Sequence, residues 1–397
     1  FASQGVLWPY EFTADLKDEP MKLHKIAKNA TRPISGAPHD VHMCVMEVLA
    51  PLFHWFRGHP IISGSAIGMD PYSSDWTEMV LAALAKGSSG FVGDYETMDR
   101  TIRAFLTWLV SFYIPDKVLS AVVDGWTVEH TTILSTITSG VVNPVMMPFG
   151  KMVEFPGGFP SGFWLTSLGE VFLQDMVSVK TWMDHAPPEL MSPEHYYEKV
   201  FSIFLGDDNL YAFNEVFGEF FNAETLAYTA KKWFGLTYTS NDGDVKGAVD
   251  SKLKHLFELE FLGNSIRIDE HAPPSLRYKP ILRHRSIERM VNFVSHGTPE
   301  QFVTNMRNCL HYKWWSGRSE FEVFAADLRN CLKEKNLLHL WSGMPTFSAL
   351  SAWYERRDAT SKGGVNDLSV VKVWAPAAAG KSTGSSWIPS VDMDDAC

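Results

Sequence analysis

Hydrophobic and polar positions fall into blocks along this chain. The sharpest runs Val200-Phe201-Ser202-Ile203-Phe204-Leu205, then Gly206-Asp207-Asp208, then Asn209-Leu210-Tyr211-Ala212-Phe213. Two short apolar runs around a glycine and two carboxylates predict a tight hairpin, with Gly206 opening a two-residue turn and adjacent carboxylates at its tip. Upstream, Phe91-Val92-Gly93-Asp94 reads as a buried strand ending in a carboxylate, and Thr101 to Tyr113 as an apolar helix. Leu165, Leu168, Phe172, Met176 and Val179 recur at helical spacing, so one face of a helix that follows Ser161-Gly162 is core. A helix around Ala223 to Trp233 comes next, then the β-prone Leu236-Thr237-Tyr238-Thr239 and a hairpin over Phe257 to Ile268. From Ile287 to Leu338 the period is mostly helical, with Trp314 and Trp315 as packing anchors. Residues 1 to 85 mix strand-like and helical patches with many Pro and Gly turns and read as an irregular subdomain, and the Gly-, Ala- and Ser-rich chain beyond about 359 as a linker or tail. Strands and helices mix without strict βαβ alternation, which predicts an α+β layer of helices backing an antiparallel sheet.

Composition narrows the class. With 397 residues, 45% of them hydrophobic, the chain can bury a large core of two or three subdomains. No uninterrupted apolar run of about 18 residues occurs, so no membrane span is expected. The four cysteines, Cys44, Cys309, Cys331 and Cys397, form no Cys-x-x-Cys pair, which fits a reducing setting. A net charge of -11 argues against indiscriminate nucleic-acid binding, but Lys17, Lys22, His24, Lys25, Lys28 and Arg32 make one local basic stretch. Gly380-Lys381-Ser382-Thr383 imitates the end of a phosphate-binding P-loop, but Ala375 stands where the upstream glycine belongs.

Two-metal phosphoryl chemistry needs carboxylates from separate strands, and Asp94 and Asp207 are the candidate pair. Asp99 adds a carboxylate near a helix start, where it could face a nucleotide. Pro160-Ser161-Gly162 with Thr166 places a loop and a hydroxyl at another helix start, where backbone amides can receive a phosphate.

In chain order the motifs are Lys17-Asp18-Glu19 through Thr31-Arg32-Pro33-Ile34, Gly93-Asp94-Tyr95 with Asp99, and Gly157-Gly158-Phe159-Pro160-Ser161-Gly162 with Thr166. Leu205-Gly206-Asp207-Asp208, Phe234-Gly235-Leu236-Thr237-Tyr238-Thr239 and Phe261-Leu262 follow. This series resembles the RNA-dependent RNA polymerases of picornavirus-like positive-strand RNA viruses, from about residue 10 to about residue 330. The resemblance implies a right-hand polymerase with an antiparallel-sheet palm, partial fingers and a helical thumb. It places partial fingers at 1–87, palm at 88–113 and 160–270, a fingers insertion at 114–159, thumb at 271–358 and a flexible tail at 359–397.

The resemblance also implies roles. Asp94 and Asp207 would hold Mg²⁺, or Mn²⁺ in its place, with Asp208 a weaker ligand. Lys17, Lys25 and Arg32 would face the incoming triphosphate, and Asp99 the ribose 2′-hydroxyl. Ser161, Gly162 and Thr166 would support template and ribose. Partners would be an RNA template and primer, NTPs, other viral replication proteins and a protein primer, at membrane-associated complexes in the host cytoplasm. Several positions depart from the pattern. Glu170 replaces an asparagine and shares a helix face with Thr166, close enough to repel Asp99. Gly243 stands where a lysine would act as general acid, leaving Lys246 as substitute. Gly263-Asn264 replaces a basic pair, leaving Arg267 as the closest cation for the primer, and Ala30 replaces a lysine beside Lys28. These departures keep a polymerase-derived RNA-binding scaffold as an alternative. A reverse transcriptase, the other alternative, is opposed by Asp99 and the Gly-Asp-Asp turn. Phe1 and the short stretch before Lys17 read as an N-terminally truncated piece of a polyprotein.

Overall fold

The computed structural model describes residues 2–6, 11–17, 26–27, 31, 33–148, 150–240, 249–292 and 298–361. Among them are the strands β1 (Phe12–Leu16), β2 (Pro33–Gly36), β3 (Ser89–Tyr95), β4 (Val145–Pro148), β5 (Val153–Glu154) and β6 (Val200–Leu205). The rest are β7 (Asp208–Phe213), β8 (Tyr238–Ser240), β9 (Lys254–His255), β10 (Glu260–Phe261), β11 (Asn264–Ile268) and β12 (Tyr278–Leu282).

The central sheet runs β6-β7-β3-β8, with β9 also pairing β3, and every pairing in it is antiparallel. Its strands are apolar on both faces because both faces are covered. Phe91, Phe204, Tyr211 and Phe213 point into the larger core with the helices Thr166–His185 and Ala223–Thr229. Val92, Phe201, Ile203, Leu210 and Ala212 point the other way, onto Trp76, Met79, Val80 and Ala83 of the helix Ser74–Lys86. The period of two along β7 thus sorts side chains between two cores.

A second sheet, β2-β1-β4-β5, joins the first residues to the Gly- and Pro-rich stretch before the site, with β1 and β4 parallel. The third, β10-β11-β12, is a meander. The expected hairpin over Phe257 to Ile268 starts at Glu260, and Leu262-Gly263 form its turn, both at positive φ. Beyond it the helices Pro299–Trp314, Arg318–Glu334 and Phe347–Ser361 close around Trp314, Trp315 and Tyr354. The last helix continues past residue 358, where the tail was expected to begin.

Two expectations need correction. Residues 1 to 85 are not irregular throughout, since the helices His39–Gly58 and Ser74–Lys86 fill much of them. Val41, Val45, Val48, Leu49, Leu52 and Phe56 bury one stripe of the first, and that burial outweighs the roughly 3 kcal/mol cost of Pro51 inside it. The helix expected over Thr101 to Tyr113 instead runs Ala104–Val122. A wide turn at Leu109–Tyr113 precedes Pro115, whose missing N–H the loosened turn accommodates. At 19 residues this helix is long and apolar enough to cross a membrane by length and composition, although Asp116 and Lys117 interrupt its apolar run. Its Leu106, Val110 and Leu119 are buried in the larger core of this fold.

Candidate active site

The tip of the β6–β7 hairpin is a two-residue turn. Leu205 pairs with Asp208, so Gly206 and Asp207 are the loop, and Gly206 takes φ +61° as its first residue. β3 lies beside β7 with Gly93 opposite Asn209 as the last pair, so Asp94 emerges next to the hairpin tip. The Asp94 and Asp207 carboxyls come within hydrogen-bonding reach of each other. Burial, then the charges of Asp207 and Asp208, push the Asp94 carboxyl up to about 7. Burial and Asp207 likewise push Asp208 up to about 6, with Arg283 pulling the other way. Arg283 is itself paired with Glu260.

Asp207 also walls a cavity of about 320 Å³. Of the expected residues, Asp99, Ser161, Gly162, Thr166 and Glu170 line it as well, joined by Phe163, Trp164 and Ser167. Glu170 is buried, and burial, then Asp207, then Asp99 push its carboxyl up to about 8. Burial there favours the protonated acid, which lessens the expected repulsion of Asp99.

The loop before the cavity is fixed by backbone contacts. Gly158 N–H donates to the Ile102 carbonyl at 2.8 Å, and Phe159 N–H to that of Asp99 at 2.5 Å. Gly157 and Gly158 sit at φ +104° and +93°, and a Cβ on Gly157 would meet the Ile102 oxygen at 2.7 Å. The Thr166 hydroxyl donates to the Pro160 carbonyl at 2.9 Å, so it closes the loop and keeps only acceptor capacity for a ligand. Ser35 N–H of β2 donates to the Ser161 carbonyl at 2.5 Å, tying the second sheet to the cavity wall.

Residues 3–331 match the family described as Viral RNA-dependent RNA polymerase. The chain belongs to that family. The genome polyprotein of Rice tungro spherical virus (strain Vt6) is 26% identical over 333 residues, covering 80% of this chain and 9% of that polyprotein. The replicase polyprotein of Drosophila C virus (strain EB) is 23% identical over 320 residues, 78% of this chain and 18% of the polyprotein. The chain thus spans a fifth or less of these relatives. A solved Sicinivirus 3Dpol RNA dependent RNA polymerase superposes with a TM-score of 0.74 at 18% identity, covering 90% of this chain and 70% of that one. The fold is accordingly that of a right-hand viral polymerase, and the resemblance to picornavirus-like enzymes stands.

Within this polymerase fold the remaining expected residues divide. Lys17 is exposed just past the end of β1 and is not among the residues that line the cavity. Lys25, Arg32 and Lys246 lie outside the described residues, as do Lys28, Ala30, Gly243 and the P-loop-like Gly380-Lys381-Ser382-Thr383. Arg267, the cation expected nearest a primer, is exposed; it pairs with Glu320 at 3.2 Å and donates to the Ser316 carbonyl at 2.8 Å, linking β11 to the start of the helix Arg318–Glu334. Gly263 and Asn264 serve the turn and the core, with the Tyr72 hydroxyl donating to Asn264 Oδ1 at 2.9 Å.

Sequence reasoning gave Trp164 no site role. Its ring lies tilted at 32° to that of Phe53, with centroids 4.0 Å apart, and it walls the cavity. It also missed that the helix Thr166–His185 buries Glu170, Gln174 and Ser178 more completely than Phe172, Met176 and Val179. Their spacing of four was readable. Their polarity made that stripe look solvent-facing.

Proposed function

We propose that this chain carries out template-directed RNA synthesis, transferring nucleotides from NTPs to an RNA primer 3′-hydroxyl during viral genome replication. The observation that supports this best is the meeting of the Asp94 and Asp207 carboxyls beside a cavity that Asp207 also walls. Among the described residues no three His, Cys, Asp or Glu side chains form a ready-made metal cage. A carboxylate pair that leaves the other coordination positions to phosphate and water is nevertheless the pattern that Mg²⁺ favours. The mutual repulsion raising Asp94 and Asp208 is what a dication would relieve.

On this reading Asp94 and Asp207 hold two Mg²⁺ ions, or Mn²⁺, with Asp208 beside them. Bound there, the metals supply charge neutralisation for an in-line displacement at the α-phosphate. Asp99 and Glu170 face the sugar from one cavity, Asp99 as acceptor for the 2′-hydroxyl and Glu170 as a neutral donor. The Ser161-Gly162 loop and the acceptor lone pairs of Thr166 support template and ribose. Lys17, Lys25 and Arg32 neutralise the triphosphate, and Lys246 protonates the departing pyrophosphate. RNA template and primer are the partners, with other viral replication proteins and a protein primer, at membrane-associated complexes in the host cytoplasm.

Replacing Asp207 with Asn tests the proposal. A polymerase loses NTP incorporation while RNA binding persists. An RNA-binding scaffold has no incorporation to lose, and absence of incorporation by the unsubstituted chain with Mg²⁺ or Mn²⁺ would favour it.

A further inference from the structure

The helix Thr166–His185 reaches the hairpin tip through one fully buried amide. Gln174 Nε2 donates to the Gly206 carbonyl at 2.5 Å and lies 3.4 Å from that of Asp208, the two carbonyls flanking Asp207. Gln174 Oε1 accepts from Asn209 Nδ2 at 3.0 Å, and Asn209 Oδ1 accepts from the Tyr238 hydroxyl at 2.9 Å. Tyr238 stands opposite Tyr95 on β8, one residue from the Asp94–Thr239 pair. A hydrogen-bonded chain therefore runs from the helix, through the turn that carries Asp207, to the strand beside Asp94.

Each group in this chain has its orientation fixed. The Gly206 and Asp208 carbonyls can only accept, so Gln174 turns its amide hydrogens to them and its oxygen to Asn209. Asn209 must then give its amide hydrogens to Gln174 and present its oxygen to the Tyr238 hydroxyl, which donates. Gly93 makes the crossing possible, because a Cβ there would lie 2.1 Å from the Tyr238 hydroxyl oxygen.

The hairpin itself does not require this. The Leu205–Asp208 pair closes the turn and Gly206 supplies the needed backbone angle, so a two-residue turn forms here without a side chain from the helix. What opposes the observed geometry is charge. The Asp94 and Asp207 carboxyls lie within hydrogen-bonding reach of each other with Asp208 next in the chain, so the turn has to hold like-charged groups together.

We propose that Gln174 is a positioning residue for metal binding: its amide, oriented by Asn209 and Tyr238, holds the Gly206-Asp207 turn so that the Asp207 carboxyl stays converged on Asp94. This rests on the two-metal reading above. Groups that orient metal ligands typically contribute about 10- to 100-fold to affinity or activity.

The test is Q174M, which keeps length and volume but removes both hydrogen-bonding functions, with Y238F as a second variant that deletes only the far end of the chain. Mn²⁺ affinity is read by electron paramagnetic resonance titration, and NTP incorporation is followed against Mg²⁺ concentration. Q174M should weaken Mn²⁺ binding about 10-fold or more, raise the half-saturating Mg²⁺ and lower kcat, with little change in KM for NTP. Y238F should shift the same quantities less. If Q174M fails to fold, Y238F alone decides by the same readouts. Unchanged Mn²⁺ affinity and Mg²⁺ dependence in the folded variants would overturn the inference and leave the polymerase reading intact. No Mn²⁺ binding and no incorporation by the unsubstituted chain would overturn both.

Discussion

Glu170 lies against the turn that carries Asp207, its Oε2 3.5 Å from where a Gly206 side chain would begin, and after burial the Asp207 charge is the main force keeping it protonated. The unfolded chain releases this proton near the ordinary 4.5, the folded chain near about 8. Between those values the folded state binds more protons, so stability falls as pH rises. Asp94, pushed up to about 7, and Asp208, to about 6, add the same sign over narrower windows. The Tm of the metal-free chain should therefore fall between pH 5 and pH 8, and E170Q should flatten that fall. Because glutamine is as neutral as the protonated acid, E170Q should keep incorporation close to that of the unsubstituted chain at pH 7. A Tm slope unaltered by E170Q in a calorimetric pH series would refute the assignment.

Asp207 sets function against stability. After burial, its charge raises Asp94, Asp208 and Glu170, so D207N should relieve its repulsion of Asp94 and Asp208 while removing a proposed metal ligand. Incorporation should drop by about 10² to 10³-fold, the scale of losing one preorganised charge-stabilising group. The metal-free Tm should rise, on the order of 2 °C for a chain of this size. Thermal melts of D207N alongside single-nucleotide extension check both halves. A lower Tm would mean that Asp207 stabilises the turn by contacts other than its charge.

The parts of this site legible in the sequence were those set by backbone rules. A glycine and two acids between apolar runs give a hairpin whatever surrounds it, and Val92-Gly93-Asp94 gives a strand end. The second half of the site depends on which face of a helix is buried, and there local pattern misleads. Phe172, Met176 and Val179 carry the apolar signal, while Gln174 and Ser178 are buried because the hairpin tip and Tyr211 supply polar partners, and Glu170 is buried one turn before them. Those partners lie more than thirty residues away in the chain. Arg267 shows the same limit, since its partner Glu320 is 53 residues on. The helix His39–Gly58 was obscured by Pro51, whose cost only tertiary burial offsets.

Gly93 tests whether the buried polar chain matters beyond packing. An alanine Cβ there would meet the Tyr238 hydroxyl oxygen at 2.1 Å and the Thr239 carbonyl at 2.7 Å. The ring would have to leave Asn209. G93A should cost about 1–3 kcal/mol in urea unfolding, as overpacking does. It should also lower incorporation beyond what the lost stability explains at a temperature where the variant is fully folded. Full incorporation by folded G93A would show that the Tyr238–Asn209 bond is dispensable.

Gly162 separates the strain of a loop from its role in the site. It sits at φ +105°, and a Cβ would come 2.7 Å from the Ser35 carbonyl, whose own N–H already binds the Ser161 oxygen. G162A should therefore strain the backbone and push the cavity wall off β2, costing about 1–3 kcal/mol. Gly125 is the matched control: it has φ +84° with nothing within 4 Å of its would-be Cβ, and it lies outside the cavity lining. G125A bears the conformational cost alone. Both variants should lose stability in denaturant titrations, but only G162A should raise KM for NTP or template. Equal kinetic losses in the two would assign the effect to general destabilisation. A selective loss in G162A would tie the Ser35–Ser161 contact to substrate binding, and so make the second sheet a working part of the site.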